Sequence, residues 1–193
     1  MRYGILSVIC LLLLSGCNDG STSSEDDTVI NEDTIFDNNE DDNEDIIDYS
    51  LIRCEDELLE AMTLINDIRS EPQVCGDALY PAVGELSWNE ALTFAAEEHS
   101  NNMANYDFFS HEGLDGSSAG TRVTAQGYTW SYVAENIAAG QSTLQKAIDG
   151  WMKSEGHCKN IMSKNVTEMG LACVVNDGAE YKYYWTQDFA TPR

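Results

Sequence analysis

The stretch MGLACVVNDGAEYKYYWTQDF, residues 169–189, decides the fold. Met169, Leu171, Cys173 and Val175 alternate with other residues at the two-residue period of a strand. Asn176-Asp177-Gly178 then supplies turn chemistry, and an aromatic strand from Glu180 to Phe189 completes a hairpin. Upstream of this hairpin the period is helical. From Cys54 onward, Leu58, Met62, Ile65 and Ile68/Arg69 share one face. Ser87-Trp88-Asn89-Glu90 reads as a capping box opening a second helix, whose stripe is Leu92, Ala95, Ala96, His99 and Met103. A second box, Ser142 to Gln145, opens a helix with Leu144, Ala147, Ile148 and Trp151 facing inward. Between these two lie a Gly/Ser-rich loop and a short helix ending near Gln126-Gly127. Helices followed by a strand pair predict an α+β domain with helices packed on a small antiparallel sheet.

The domain read in this way occupies residues 51–193, and what precedes it has a different character. Arg2 supplies a positive charge, Ile5 to Leu14 is an apolar run too short to span a bilayer, and Leu14-Ser15-Gly16-Cys17 follows. That tetrapeptide resembles the lipobox of bacterial lipoproteins, which implies a signal peptide over residues 1–16 and a lipid anchor on Cys17; the simpler alternative is an ordinary signal peptide cut near Gly16. By resemblance to lipoprotein sorting signals, Asn18 after the anchor favours the outer over the inner membrane. Residues 17–50 are acidic and poor in apolar surface, so they are expected to form a disordered stalk. A loose divalent-cation role for the acid run lacks a calcium-loop pattern.

Charge excludes one class of partner. The chain has 193 residues, 10 Lys+Arg and 34 Asp+Glu, for a formal net charge of −24. Thirteen of the acids lie between Asp19 and Asp48, and the part from Tyr49 onward is acidic as well. Nucleic-acid affinity is built on Lys and Arg neutralising phosphates, so no nucleic-acid partner is expected.

With Cys10 in the cleaved segment and Cys17 acylated, Cys54, Cys75, Cys158 and Cys173 remain. An even number in an exported chain implies disulfides with three connectivities open. Proximity in sequence favours Cys54–Cys75 and Cys158–Cys173, each worth ~3 kcal/mol. The second of these would fix the His157 turn against the sheet. Without a Cys-x-x-Cys spacing, a zinc site built from these thiols is disfavoured.

The chemistry-bearing segments are Phe108-Phe109-Ser110-His111, Val133-Ala134-Glu135-Asn136-Ile137, Trp151-Met152-Lys153-Ser154-Glu155-Gly156-His157 and Trp185-Thr186-Gln187-Asp188-Phe189. Imidazoles and carboxylates suit a borderline metal such as Zn²⁺, and also acid/base work. Together with Asn66-x-x-Arg69, Leu86-Ser87-Trp88-Asn89 and the Asn160-Ile161-Met162 that follows the Gly-His turn, the order and spacing of these segments resemble the CAP superfamily. These are the cysteine-rich secretory, antigen 5 and pathogenesis-related proteins, and the chain is similar to their short bacterial form, the SCP domain.

The resemblance covers roughly Cys54 to Ala190 and implies a three-layer α-β-α sandwich. It also implies a cleft with two His and two Glu, a divalent metal such as zinc held through the His pair, and a small apolar or lipid ligand or an envelope protein as partner. By motif, His111 and His157 match the two histidines and Glu135 one of the glutamates. The fourth position departs from the family: Ser154 stands there with Glu155 beside it. Gln187 and Trp185 lie on a strand that can reach the cleft floor or pack in the core, Asn136 can meet a ligand or cap a turn, and His99 on its apolar stripe reads as structural. Three functions follow: a membrane-anchored binding module, a metal-dependent hydrolase or peptidase with Glu135 as base, and a structural envelope or adhesion module with a vestigial cleft. No Ser/His/Asp order, nucleophile elbow or His-Glu-x-x-His supports the second.

Overall fold

Leu92, Ala95, Ala96, His99 and Met103 are all buried, so the stripe read from the sequence is the inner face of a 17-residue helix, α2 (Glu90–Tyr106). The computed structural model describes residue 54 and residues 57–193; the expected signal peptide, Cys17 and the expected stalk over residues 17–50 lie outside the described residues. In chain order the elements are α1 (Leu58–Ser70), β1 (Gln73–Cys75), β2 (Ala78–Tyr80), β3 (Ser87–Trp88), α2, α3 (Ala119–Ala125), β4 (Trp130–Ala139), α4 (Leu144–Lys153), α5 (Glu155–Ile161), β5 (Glu168–Val175) and β6 (Tyr183–Pro192).

β1 and β2 form a small hairpin of their own, and the main sheet has the order β3-β5-β6-β4. Side chains alternate between its two faces. Met169, Leu171, Cys173, Trp185 and Phe189 join α1, α4 and α5 in one core, while Tyr184 and Ala190 pack with residues of α2 and α3 on the other side. The result is helices on both faces of a small sheet, as expected. At Gly170 a Cβ would overlap the backbone of Leu92 and Thr93, so the glycine lets α2 lie directly on β5.

Four local expectations are corrected. The helix cap at 87–90 shifts by two residues: Ser87 N and Asn89 N donate to Thr167 O and Met169 O, which draws Ser87–Trp88 out as a strand parallel to β5. Asn89 becomes the cap of α2, its side chain accepting from Ala91 N (2.9 Å) and Leu92 N (3.3 Å). The sheet is therefore mixed at this edge. Similarly, Thr143 rather than Ser142 caps α4, accepting from Lys146 N. The turn between β5 and β6 is longer than a tight hairpin and β6 starts at Tyr183, because the loop is tied to the end of α2 through Asn176 Nδ2 to Ala104 O (2.8 Å) and Glu180 N to Asp107 Oδ1 (2.8 Å).

The fourth correction concerns the cysteines. The disulfides are Cys54–Cys173 and Cys75–Cys158, separated by 119 and 83 residues. Sequence neighbours do not pair because β5 lies under α1 while the β1–β2 hairpin lies against α5. The Asn66 and Arg69 pair also proves architectural. Asn66 exchanges two hydrogen bonds with the backbone of Leu86, and the buried Arg69 guanidinium donates to the carbonyls of Gly84, Ile161 and Ser163. Burial lowers the Arg69 pKa to about 10.

Candidate functional site: a histidine pair across the free edge of the sheet

β4 is an edge strand, and it was the element hardest to see in the sequence. Its first half is largely exposed and its second half buried on both faces, so no single alternation runs through it. The register places Glu135 opposite Asp188 and Asn136 opposite Gln187. Glu135 thus points to the α2 side and Asn136 to the α5 side. The loop after α2 carries His111 to this edge from one layer, and α5 carries His157 to it from the other. Their rings meet with centroids 6.3 Å apart.

The side of His111 is held by charge. His111 Nδ1 donates to Glu135 Oε1 (2.7 Å), and Arg122 Nη2 donates to Glu135 Oε2 (2.5 Å). Arg122 and Glu135 are both buried, whereas the His111 side chain is 56% exposed. Arg122 also donates to His111 O (3.2 Å) and Ser117 O (3.0 Å), fastening the loop that delivers the histidine. Burial alone would raise the Glu135 pKa, but the His111 hydrogen bond and the Arg122 charge together hold it below the ordinary value. With Nδ1 engaged, Nε2 of His111 carries the free lone pair.

The side of His157 is held by amides. Asn136 Nδ2 donates to His157 O (3.3 Å) and Gln187 Oε1 (3.1 Å), and Asn160 Nδ2 donates to Asn136 Oδ1 (2.9 Å) and Glu135 O (3.1 Å). Asn136 and Gln187 are fully buried, so both support the cleft from below, and Trp185 is core. Burial, and then the neighbouring His111, lower the His157 pKa and favour its neutral ring.

Glu155 is turned to solvent and paired with Lys159, its side chain lying over Gly76 of the β1–β2 turn; Ser154 is the joint between α4 and α5. Neither is brought into the histidine pair. His99 is buried on α2 and donates from Nε2 to Ser110 O (2.8 Å), the structural role expected of it.

Arg122 and Asp188 escaped the sequence reading. The signal available was a lone arginine beside Val123 on a short helix and the one charged residue in β6, a strand whose other members are aromatic, apolar or neutral polar. Beside the pair, an open groove of about 870 Å³ runs between α3 and the β4 edge, lined by His111, Glu112, Thr121, Trp130, Val133 and Glu135 among others.

As a metal site the pair offers two donors. Among the described residues no group of three or more His, Cys, Asp or Glu is placed to hold a metal ion. Both Glu135 oxygens are already engaged. Zinc bound to two ring nitrogens at about 2.1 Å would bring the centroids to about 5 Å at a tetrahedral angle. The observed 6.3 Å is wider. Two imidazoles, one oriented by a carboxylate, are the donor type that suits a borderline divalent cation.

Residues 62–189 match the family model described as the cysteine-rich secretory protein family. Among curated proteins the chain is 34% identical over 104 residues to the uncharacterised protein YkwD of Bacillus subtilis and 30% identical over 107 residues to the uncharacterised membrane protein YlbC of the same organism. These matches take in 54% and 55% of this chain but 38% and 29% of the relatives, so the chain spans about a third of their length. Among solved structures, an extracellular protein containing an SCP domain from Bacillus anthracis is similar with a TM-score of 0.55 at 30% identity, over 68% of this chain and 39% of that one. An outer surface protein of Borrelia burgdorferi shares the fold, with a TM-score of 0.63 at 14% identity, over 74% of this chain and 97% of that one.

Proposed function

Because this chain belongs to the cysteine-rich secretory protein family, we propose that it is an extracellular, membrane-anchored binding module. In this reading His111 and His157 hold a divalent cation such as zinc, and the groove between α3 and β4 takes a small apolar or lipid ligand. The observation that carries it is the meeting of His111, oriented by Glu135, with the neutral His157 across the free edge of β4. A cation held there would polarise an oxygen of whatever enters the groove. Glu135 orients the ring and keeps its charge facing Arg122; with both oxygens engaged and its pKa lowered, it is a poor general base. This argues for binding over the hydrolase alternative.

The test is a Zn²⁺ titration of the full chain by calorimetry at pH 7.5, where imidazole is mainly neutral. Stoichiometric binding is expected in the wild type, with at least a tenfold loss in a His111→Ala/His157→Ala double variant. Equal affinity in both chains, or no heat in either, would refute the metal site and leave the structural reading of the cleft.

The anchor is assigned to Cys17. Support comes from its lipobox-like context and from relatives named as extracellular, membrane or outer surface proteins. Among the described residues no helix is long and apolar enough to cross a membrane. Cys17→Ser is expected to move the protein out of the membrane fraction; if it stays there, the anchor lies elsewhere.

A further inference from the structure

Behind the histidine pair lies a second carboxyl group that the proposed site does not use. Asp188 is 0% exposed, in the middle of β6, and neither of its oxygens is reached by a donor. Directly opposite Asp188 on β4 is Glu135, whose side chain projects from the same face of the sheet. On its other flank β5 contributes only Gly170, which has no side chain, and the backbone of α2 covers that position. Besides His111, the charged and titratable groups around the Asp188–Glu135 pair are therefore Arg122 from α3, which faces both acids, and His99 from α2, which faces Glu135. Arg122 commits its Nη2 to Glu135 and its Nη1 to Ser117, and its buried Nε reaches neither carboxyl group. His99 donates from Nε2 to Ser110 O, so its Nδ1 is left as an acceptor that cannot serve a carboxylate. One arginine thus faces two buried carboxyl groups, and two such groups side by side cannot both carry charge.

We propose that Asp188 is a neutral carboxylic acid whose hydroxyl donates to Glu135, making it a positioning residue for the carboxylate that orients His111. The pair then carries one negative charge, matched by Arg122. Each Glu135 oxygen has two lone pairs, so it can accept from Asp188 while still serving His111 and Arg122. The single proton solves two problems together. It removes an unpaired buried charge, and it fixes Glu135 from behind so that its carboxylate presents one oxygen to each partner. Burial, followed by the charge of Glu135, pushes the Asp188 carboxyl well above its ordinary range, with Arg122 pulling the other way. This inference does not depend on whether a metal binds.

Infrared spectroscopy of the full chain at pH 7.5 tests it directly. In the difference between wild type and Asp188→Asn, the C=O stretch of a protonated carboxylic acid isolates Asp188. The band is expected in the wild type, shifted by ¹³C labelling of aspartate but not of glutamate, and absent in Asp188→Asn. No band, a band insensitive to the aspartate label, or one that survives in Asp188→Asn would overturn the proposal; the labelling arm needs no variant to fold.

Stability gives a second readout. A carboxyl whose folded pKa is raised contributes stability in full below its unfolded pKa and loses that contribution as pH rises. The amide introduced by Asp188→Asn keeps a donor facing Glu135 and does not titrate. The gap in melting temperature, Asp188→Asn minus wild type, is therefore expected to widen by several degrees from pH 5 to pH 8. His99 and His157 have lowered pKa values and act in the opposite direction, but both chains carry them and their effect cancels in the difference. A gap that stays flat across this range would overturn the proposal as well.

Discussion

Arg122→Met is expected to destabilise the folded domain by about 3–5 kcal/mol, the range for removing one partner of a buried ion pair. The methionine fills much of the volume but leaves Glu135 buried without its cation. It also frees the carbonyls of His111 and Ser117, so the loop that carries His111 loses its hold. The melting temperature should fall by on the order of ten degrees. Arg122→Lys restores the charge but cannot reach Glu135 and Ser117 together, because it lacks the planar fork; it should recover part of the loss. The sign with pH also follows. Glu135 has a lowered pKa in the folded state, so its contribution is present at neutral pH and is lost as the carboxyl protonates on acidification. The difference between wild type and Arg122→Met should narrow as pH falls below about 4.5, the ordinary value beneath which the Glu135 pKa is held. Urea unfolding at pH 7.5 and at about pH 3.5, below the ordinary glutamate value, measures both; a destabilisation under about 1 kcal/mol at pH 7.5 would mean that the pair contributes little.

Removing the Cys75–Cys158 disulfide by a Cys75→Ala/Cys158→Ala double variant is expected to cost about 4–5 kcal/mol in the chain-entropy model, given its separation of 83 residues. The corrected pairing raises this figure, since a bond between sequence neighbours closes a shorter loop. It also changes what the bond holds. Cys158 follows His157 in α5, and its partner lies on β1, so the histidine is braced against the small hairpin and not against the sheet. Loss of the bond should loosen the His157 turn first. Zn²⁺ affinity is expected to fall while the near-ultraviolet signal of the buried Trp151 and Trp185 persists at low temperature. Loss of both together would mean that the hairpin and the main core fold as one unit. The Cys54–Cys173 bond provides the control, since it ties the approach to α1 onto β5 and touches neither histidine.

How much of this was readable beforehand varies with how local the cause is. The stripe of α2 was legible because one face meets one core, and the β5 alternation was legible for the same reason. The order of motifs around His111, Glu135 and His157 was enough to place the chain in its family. β4 was not legible as a strand because its burial changes halfway along. The capping assignments at Ser87 and Ser142 failed because backbone pairing with β5 and the side chain of Glu57, which accepts from Leu144 N, settle those helix starts from a distance.

Features carried by neighbouring residues were legible without the structure. These are the helical and strand periods, the acidic balance, the even set of cysteines from Cys54 onward, and the motif spacing that identifies the family. The folded chain settles everything that depends on which segments meet. It chose Cys75 for Cys158, brought His111 and His157 to one edge from opposite layers, and turned Glu155 away. It also set Asp188 opposite Glu135, with Arg122 paired to Glu135 alone. Pairing across a sheet and between layers depends on register and packing, and a sequence holds no local record of which residue will face which.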